Sequence, residues 1–317
     1  MNYRRCGRSG ILLPEISLGL WHNFGETSTV DESYALLAKA CDLGITHFDL
    51  ANNYGPPSGA AEARLGELME KGFRTHRDEV VISTKAGHLM WDGPYGDWGS
   101  RKHLLASLDQ SLRRMKLDYV DIFYSHRPDP ETPLEETIGA LVTAVQSGRA
   151  LYAGISKYPP ELARRACALL KDAGVPCLIH QFRYNMMELS PEEGLLDTLK
   201  EEGVGGIAFS PLAQGVLTGK YLAGVPGSSR AASGSVFLTE DRLEPTRQKV
   251  AALDAFAREH GRELTQLALR WVLRKQEVTS ALIGARTVEQ LADCAACLDS
   301  PALTEAECRA LDVLLRE

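Results

Sequence analysis

The 317-residue sequence has no apolar run approaching the roughly 18 residues a membrane helix needs, and its start, MNYRRCGRSGILLPE, has no apolar stretch of signal-peptide length. A cytoplasmic protein is the expectation. Positive charge is also in short supply: 35 Lys and Arg face 42 Asp and Glu, a formal net charge of -7. With no basic field to attract DNA, RNA or an anionic membrane, the expected partner is a small molecule, not nucleic acid and not a membrane. No G-x-G-x-x-G follows the first strand segment, which weakens the case for a doubly wound dinucleotide-binding sheet. The seven cysteines are an odd count scattered along the chain, suiting reduced thiols better than a disulfide framework. Cys294 and Cys297 form a C-x-x-C, but QLADCAACLD reads as mid-helix with no second ligand pair nearby. Two small packing residues are expected there, and no metal site.

What is present is a repeated grammar. TVDESYALLAKACDLG carries Thr29 and Glu32 at capping-box spacing and Gly44 as a stop, so it predicts a helix, and ITHFDLA predicts the strand after it. The same helix, glycine, strand order recurs in AVQSGRALYAGIS through Gly148, LLKDAGVPCLIHQ through Gly174 and TLKEEGVGGIAFS through Gly203. Further apolar strands are read in ISLGL, EVVISTKA, YVDIFYSH and TSALIGA. Alternating helices and strands imply a parallel sheet, and a set of about eight strands in a chain this long fits an α/β (β/α)8 TIM barrel, for which roughly 250 residues is typical. Residues 1–317 are expected to form a single barrel domain. YRRCGRSGILLPEI reads as an N-terminal β-hairpin outside the repeat, plugging one end of the barrel. Long loops are expected at the C-terminal face: GHLMWDGPYGDWGS after the third strand, as a lid or a decoration, and a partly mobile connection containing AGVPGSSRAASGS after the seventh.

In such barrels the active site collects where the strands end toward their C-termini. The polar residues there are Asp49 with Tyr54 in the following loop, then Lys85, His126, Ser156, Gln181 and Ser210 on successive strands. Singly, a strand-end Asp or Lys serves a structural ion pair as readily as a reaction. Together, Asp, Tyr, Lys and His at one mouth suit proton donation to a carbonyl oxygen by a tyrosine. A phenol ordinarily titrates near about 10, so Lys85 is expected to draw Tyr54 down toward working pH while Asp49 keeps Lys85 charged. His126 can hydrogen-bond the carbonyl oxygen and stabilise the charge that develops on it. His47 shares the strand face of Asp49 one layer deeper and reads as a buried structural histidine. Asn52 and Asn53 either touch substrate or shape the turn.

Protonation alone does not reduce a carbonyl, so an electron donor is required. FSPLAQGVLTGK and IGARTVEQ are small-residue loops after the last two strands, a frequent phosphate site in barrels. Lys220 and Arg286 supply cations there and Phe209 a flat face for a ring, although both cations also suit a solvated surface.

On LGITHFDLANNYG, STKAG, YVDIFYSHR, GISKY, LIHQFRYN, FSPLAQGVLTGKY and LIGARTVEQL, the chain resembles the aldo-keto reductase superfamily almost end to end. Within it, SLGLWHNFG and WDGPYGDWGSRKHLLASLDQSL make it most similar to the bacterial L-glyceraldehyde 3-phosphate reductases. The resemblance implies a catalytic tetrad of Asp49, Tyr54, Lys85 and His126, with Tyr54 as general acid. It implies NADPH as cofactor, the nicotinamide surrounded by Trp21, Asp49, Ser156, Gln181 and Phe209. Ser210, Leu212, Gly215 and Lys220 would follow the pyrophosphate, and Gly284, Arg286 and Gln290 the adenosine end. Trp21, Tyr54, His126 and Arg127 would meet a small aldehyde, L-glyceraldehyde 3-phosphate first and methylglyoxal-like carbonyls second. Arg101 and Lys102, at a helix start after Ser100, are alternative phosphate ligands. Cys294 stands where the family often has an adenine-contacting Asn, and Lys157 where many relatives have Asn or Arg. The sequence ends at Glu317, so the longer tail of close relatives is not expected to add a pocket wall. Relatives suggest a homo-oligomer, tetramer or octamer. Two other readings stay open: an NADP(H)-binding regulatory subunit resembling potassium-channel β subunits, and a Schiff-base enzyme using Lys85, which a neighbouring Asp49 opposes by holding the amine charged.

Overall fold

The computed structural model describes residues 1–222, 224 and 246–316. An antiparallel hairpin of β1 (Tyr3–Arg5) and β2 (Leu12–Pro14) comes first. Then follow β3 (Ile16–Gly19), β4 (His47–Asp49), β5 (Val81–Ala86), β6 (Val120–Ser125), β7 (Ala150–Ser156), β8 (Cys177–Arg183), β9 (Gly205–Phe209) and β10 (Val278–Ile283). These eight close into a parallel barrel in the order β10-β3-β4-β5-β6-β7-β8-β9. The expected (β/α)8 barrel and its separate hairpin are both observed.

The helices are α1 (Val30–Asp42), α2 (Ala60–Lys71), α3 (Arg101–Met115), α4 (Leu134–Gln146), α5 (Pro160–Asp172), α6 (Leu195–Glu202), α7 (Arg247–Glu259), α8 (Leu264–Val272), α9 (Val288–Ala295) and α10 (Glu305–Arg316). At α1 the Thr29 side chain accepts from Glu32 N while the Glu32 carboxylate accepts from Thr29 N, a reciprocal cap worth about 1 kcal/mol. Ser100 caps α3 by accepting from His103 N. The C-x-x-C is not mid-helix: Cys294 sits in the last turn of α9 and Cys297 in the 3-10 turn Ala296–Asp299 that follows. Both thiols are buried, and burial pushes each up to about 12. They pack as the small apolar residues expected of them. Among the described residues no helix is long and apolar enough to cross a membrane, and no group of three His, Cys, Asp or Glu is placed to hold a metal. The stretch 223–235, read as part of a mobile connection, lies outside the described residues apart from Gly224.

Alternation along the strands sorts side chains into two environments. Outward residues such as Ile82 and Phe48 join the large core under the helices. The inward set Ile122, Tyr124, Ile179 and Ile207 forms a second core with Cys6 and Leu13 of the hairpin. The hairpin closes the N-terminal end: Arg8 N donates to Gly203 O at 2.8 Å, and Arg4 Nη1 to Val278 O at 3.0 Å. Its turn needs glycine at position 7, where φ is +54° and a Cβ would stand 2.2 Å from Gly203 O.

Candidate active site

The opposite end of the barrel gathers the polar strand ends. Asp49 closes β4 beside Ser83 of β5, and Ser83 shares its inward face with Lys85 two residues on. Between them Thr84 points outward, where it donates to Glu62 of α2 at 2.5 Å. One strand therefore sends its lysine into the barrel and its threonine into the helix layer.

Lys85 Nζ donates to Asp49 Oδ2 at 2.5 Å and to Leu50 O at 2.6 Å, and lies 3.4 Å from Tyr54 Oη. Both charged side chains are fully buried. Burial lowers the Lys85 ammonium from its usual range, and the attraction and hydrogen bond of Asp49 oppose that shift. The other carboxylate oxygen, Asp49 Oδ1, accepts from Ser83 Oγ at 2.7 Å and Gln181 Nε2 at 3.1 Å. Behind it runs a chain of short contacts: His47 Nε2 to Ser83 Oγ at 3.1 Å, His47 Nδ1 to Ser17 Oγ at 2.9 Å, and Ser17 Oγ to Ser280 Oγ at 2.6 Å. Burial holds His47 down at about 4, so the ring is neutral and orients Ser83. A structural His47 was expected; its serine partners were missed, though Ser83 could have been found from its parity with Lys85.

Tyr54 lies in the loop after β4, its ring 5.8 Å from His126 and 6.0 Å from Trp21. The phenol does not shift as the sequence suggested. Burial, then the facing Asp49 carboxylate, raise it well above its ordinary value. Asp49 contacts Lys85 more closely than Lys85 contacts Tyr54, so the lysine's charge is largely answered before it reaches the phenol. The hydroxyl is thus held protonated. His126 stands one residue beyond the end of β6, buried, with Nδ1 lacking a hydrogen-bond partner. Burial first, then Lys157 and Lys85, lower it well below the usual imidazole range, so it too is neutral. A protonated phenol and a neutral imidazole form a pair of donors for one oxygen.

Ser156 ends β7 in register with Gln181 of β8, and its buried hydroxyl has no partner. Arg183, two residues on, pairs with the half-buried Phe209 at the end of β9. The chain then runs through residues with positive φ at Ser210, Ala213, Gln214 and Gly215. Such a tight run lets backbone approach a ligand closely, and at Gly215 a Cβ would meet Lys220 Nζ at 2.7 Å. Leu212 packs on the main core, and its carbonyl accepts from Gly215 N at 2.8 Å. After β10, Gly284 borders open space. The Arg286 side chain donates to Asn23 Oδ1 at 2.9 Å and its N–H to Gln290 Oε1 at 2.9 Å, joining the loops after β10 and β3. An orphaned hydroxyl beside an amide, an accessible ring face and a glycine-bearing cradle with a lysine fit a nicotinamide dinucleotide.

Three expected substrate-phosphate ligands are engaged elsewhere. Arg127 donates to Gly87 O and Asp97 Oδ1, each at 2.7 Å, and stacks on Trp98 with its guanidinium 3.6 Å from the ring centroid. It ties the 87–100 loop to the segment after β6. Arg101 donates to Thr143 at 2.5 Å, and Lys102 lies over the Tyr95 ring. That same loop brings in a residue the sequence reading missed, His88, whose ring meets His126 edge-on at 4.4 Å. Asn52 is fully buried with both amide atoms unpartnered, and Asn53 is half-buried.

Comparison with known proteins assigns the chain to a family. Residues 15–316 match the Aldo/keto reductase family. The L-glyceraldehyde 3-phosphate reductase of Escherichia coli K12 is 55% identical over 300 residues, covering 92% of this chain and 86% of the relative. A probable voltage-gated potassium channel subunit beta of Oryza sativa subsp. japonica is 37% identical over 307 residues, covering 94% and 92%. Members of the family generally use NAD(P)H. The chain, carrying this barrel and this cluster of polar strand ends, belongs to the aldo/keto reductase family of oxidoreductases.

Proposed function

We propose that this protein reduces small aldehydes to alcohols with NADPH, L-glyceraldehyde 3-phosphate first and methylglyoxal-like carbonyls second. The observation that carries the reading is the buried Asp49–Lys85 pair in contact with the half-buried Tyr54 beside His126. The cofactor, when bound, supplies hydride to the carbonyl carbon. Tyr54 donates its proton to the carbonyl oxygen as charge develops there. Lys85, held by Asp49 and Leu50 O, then faces the phenolate and lowers the cost of forming it. His126 bonds the same oxygen and fixes its direction. Ser156 and Gln181 would hold the carboxamide, Phe209 would offer its face to the ring, and Trp21 would narrow the mouth. Ser210, Leu212, Gly215 and Lys220 would bind the pyrophosphate, and Gly284, Arg286 and Gln290 the adenosine end. The protein works in the cytoplasm, as one barrel domain per chain in a homo-oligomer.

The rice relative supports a second reading, a cofactor-binding regulatory subunit. Multiple-turnover NADPH oxidation across a panel of small aldehydes separates the two. Turnover of a three-carbon aldehyde is the expected result; binding of NADPH without turnover of any aldehyde would favour the regulatory role. A Schiff base at Lys85 conflicts with its ion pair to Asp49, which favours the charged amine against the effect of burial. Borohydride with substrate is expected to leave the protein unlabelled.

A further inference from the structure

We infer that Lys157, with Arg183 as its second cation, binds a phosphate carried by the substrate aldehyde. The inference rests on the aldehyde-reducing reading above and narrows it. Lys157 follows Ser156 directly and has φ +62°. Its Nζ lies 3.5 Å from His88 Nε2, the His88 ring meets His126 at 4.4 Å, and the His126 ring lies 5.8 Å from that of Tyr54. Contacts thus run unbroken from the ammonium to the groups that face the carbonyl. In a phosphorylated three-carbon aldehyde, the phosphate is separated from the carbonyl carbon by only two carbons and an ester oxygen. The cation that reads it must stand beside His126, not out on the rim.

Three other cations near this part of the mouth are engaged. Arg127 is held by Gly87, Asp97 and Trp98, Arg101 by Thr143, and Lys85 by Asp49. Among the described residues, Lys157 and Arg183 have no carboxylate within ion-pair distance. They flank the Phe209 ring at 5.8 Å and 5.9 Å from its centroid. The Arg183 charge is felt at Lys157, and a dianion bound at Lys157 and within reach of Arg183 would turn that repulsion into attraction. Lys157 is solvent-exposed, yet partial desolvation by its neighbours, then the charges of Lys85, Arg127 and Arg183, bring it down to about 8. A bound phosphate would raise it again.

The test compares kcat/KM with NADPH for glyceraldehyde 3-phosphate and for glyceraldehyde in the wild type, K157M and K157R. The wild type should favour the phosphorylated aldehyde. K157M should cut that preference about tenfold or more, chiefly through KM, and K157R should keep most of it. An unchanged preference in K157M, or a loss of NADPH affinity in place of a loss of preference, would overturn the assignment. An aldehyde of equal length with a carboxylate for the phosphate forms a further arm, and a larger Lys157-dependent gain for the carboxylate would overturn the phosphate. Calorimetric binding of glycerol 3-phosphate against glycerol, with NADP+ saturating, reads the subsite without turnover. Weaker binding of glycerol 3-phosphate in K157M supports the subsite even in a protein that reduces no aldehyde, a result that would sink only the reaction. A wild type that binds both compounds equally sinks the subsite and leaves the reaction standing.

Discussion

The two ends of the barrel treat charge differently. At the hairpin end, Arg4 meets Glu15 at 2.6 Å and Arg77 meets Asp121 at 2.9 Å, while Arg8 is held by the Glu201 carbonyl. At the opposite mouth, Lys157 and Arg183 have no carboxylate among the described residues, and buried polar atoms of Asn52, His126 and Ser156 have no partner. An unsatisfied buried group costs about 1–3 kcal/mol. A fold carries that cost only where the surrounding structure holds the group in place, and a ligand can then answer it. The hairpin end answers Arg4, Arg8 and Arg77 within the chain; the mouth leaves Lys157 and Arg183 open to a small molecule.

Substitutions at each end should separate activity from stability. The largest effect is expected for Tyr54→Phe, which removes the proton donor. Its kcat should fall on the order of 10²–10⁴-fold, or about 3–5 kcal/mol, while NADPH still binds and the urea midpoint stays near that of the wild type. Near-normal turnover in single-turnover and steady-state assays would break the contrast.

The layer between the two ends responds to pH. His47 and His180 are fully buried and neutral, each lowered from 6.5 to about 4 by burial. Below about 6.5 the unfolded chain binds protons that the fold refuses, so stability present at neutral pH is lost as pH falls toward 4. The loss reaches up to about 3 kcal/mol for each ring. Urea titrations at pH 7 and pH 4.5 should show it, and equal midpoints would place the charge changes elsewhere.

At the hairpin end Gly7→Ala should do the reverse of Tyr54→Phe. With φ +54° and Gly203 O 2.2 Å from the new Cβ, a loss of about 1–3 kcal/mol is expected, with kcat/KM unaltered. A variant that kept its stability would show that the turn relaxes without cost. The smallest effect belongs to the mouth's far rim. Arg286→Ala should weaken NADPH about tenfold, near 1.4 kcal/mol, and NADH less, as fluorescence titration would measure. An unchanged ratio of the two affinities would move recognition of the 2'-phosphate to another residue.

The expected strands sit where apolar runs and glycine stops put them, because a strand buried on both faces needs an unbroken apolar run and a helix needs a stop before it. Asp49, Lys85, His126, Ser156 and Gln181 could be placed at one mouth because strand ends in a parallel barrel share one face. Other features were not legible. Arg127 looked like a substrate ligand by its adjacency to His126, yet Asp97 and Trp98 engage it from a loop some 30 residues earlier. The Tyr54 shift took a direction that spacing did not show, since it turns on whether Lys85 or Asp49 dominates near the phenol.

By itself, then, the sequence determined the alternation of elements, the closed barrel and which residue types meet at its C-terminal mouth. Those properties follow from local pattern and from the shared direction of parallel strands. Only the tertiary structure decided which charges are answered and which stand open: His47 locked to Ser83 and Ser17, Arg127 to Asp97, and Lys157 beside His88. Pairing, desolvation and proton affinity depend on distances across the barrel, and neighbours in space there are far apart along the chain.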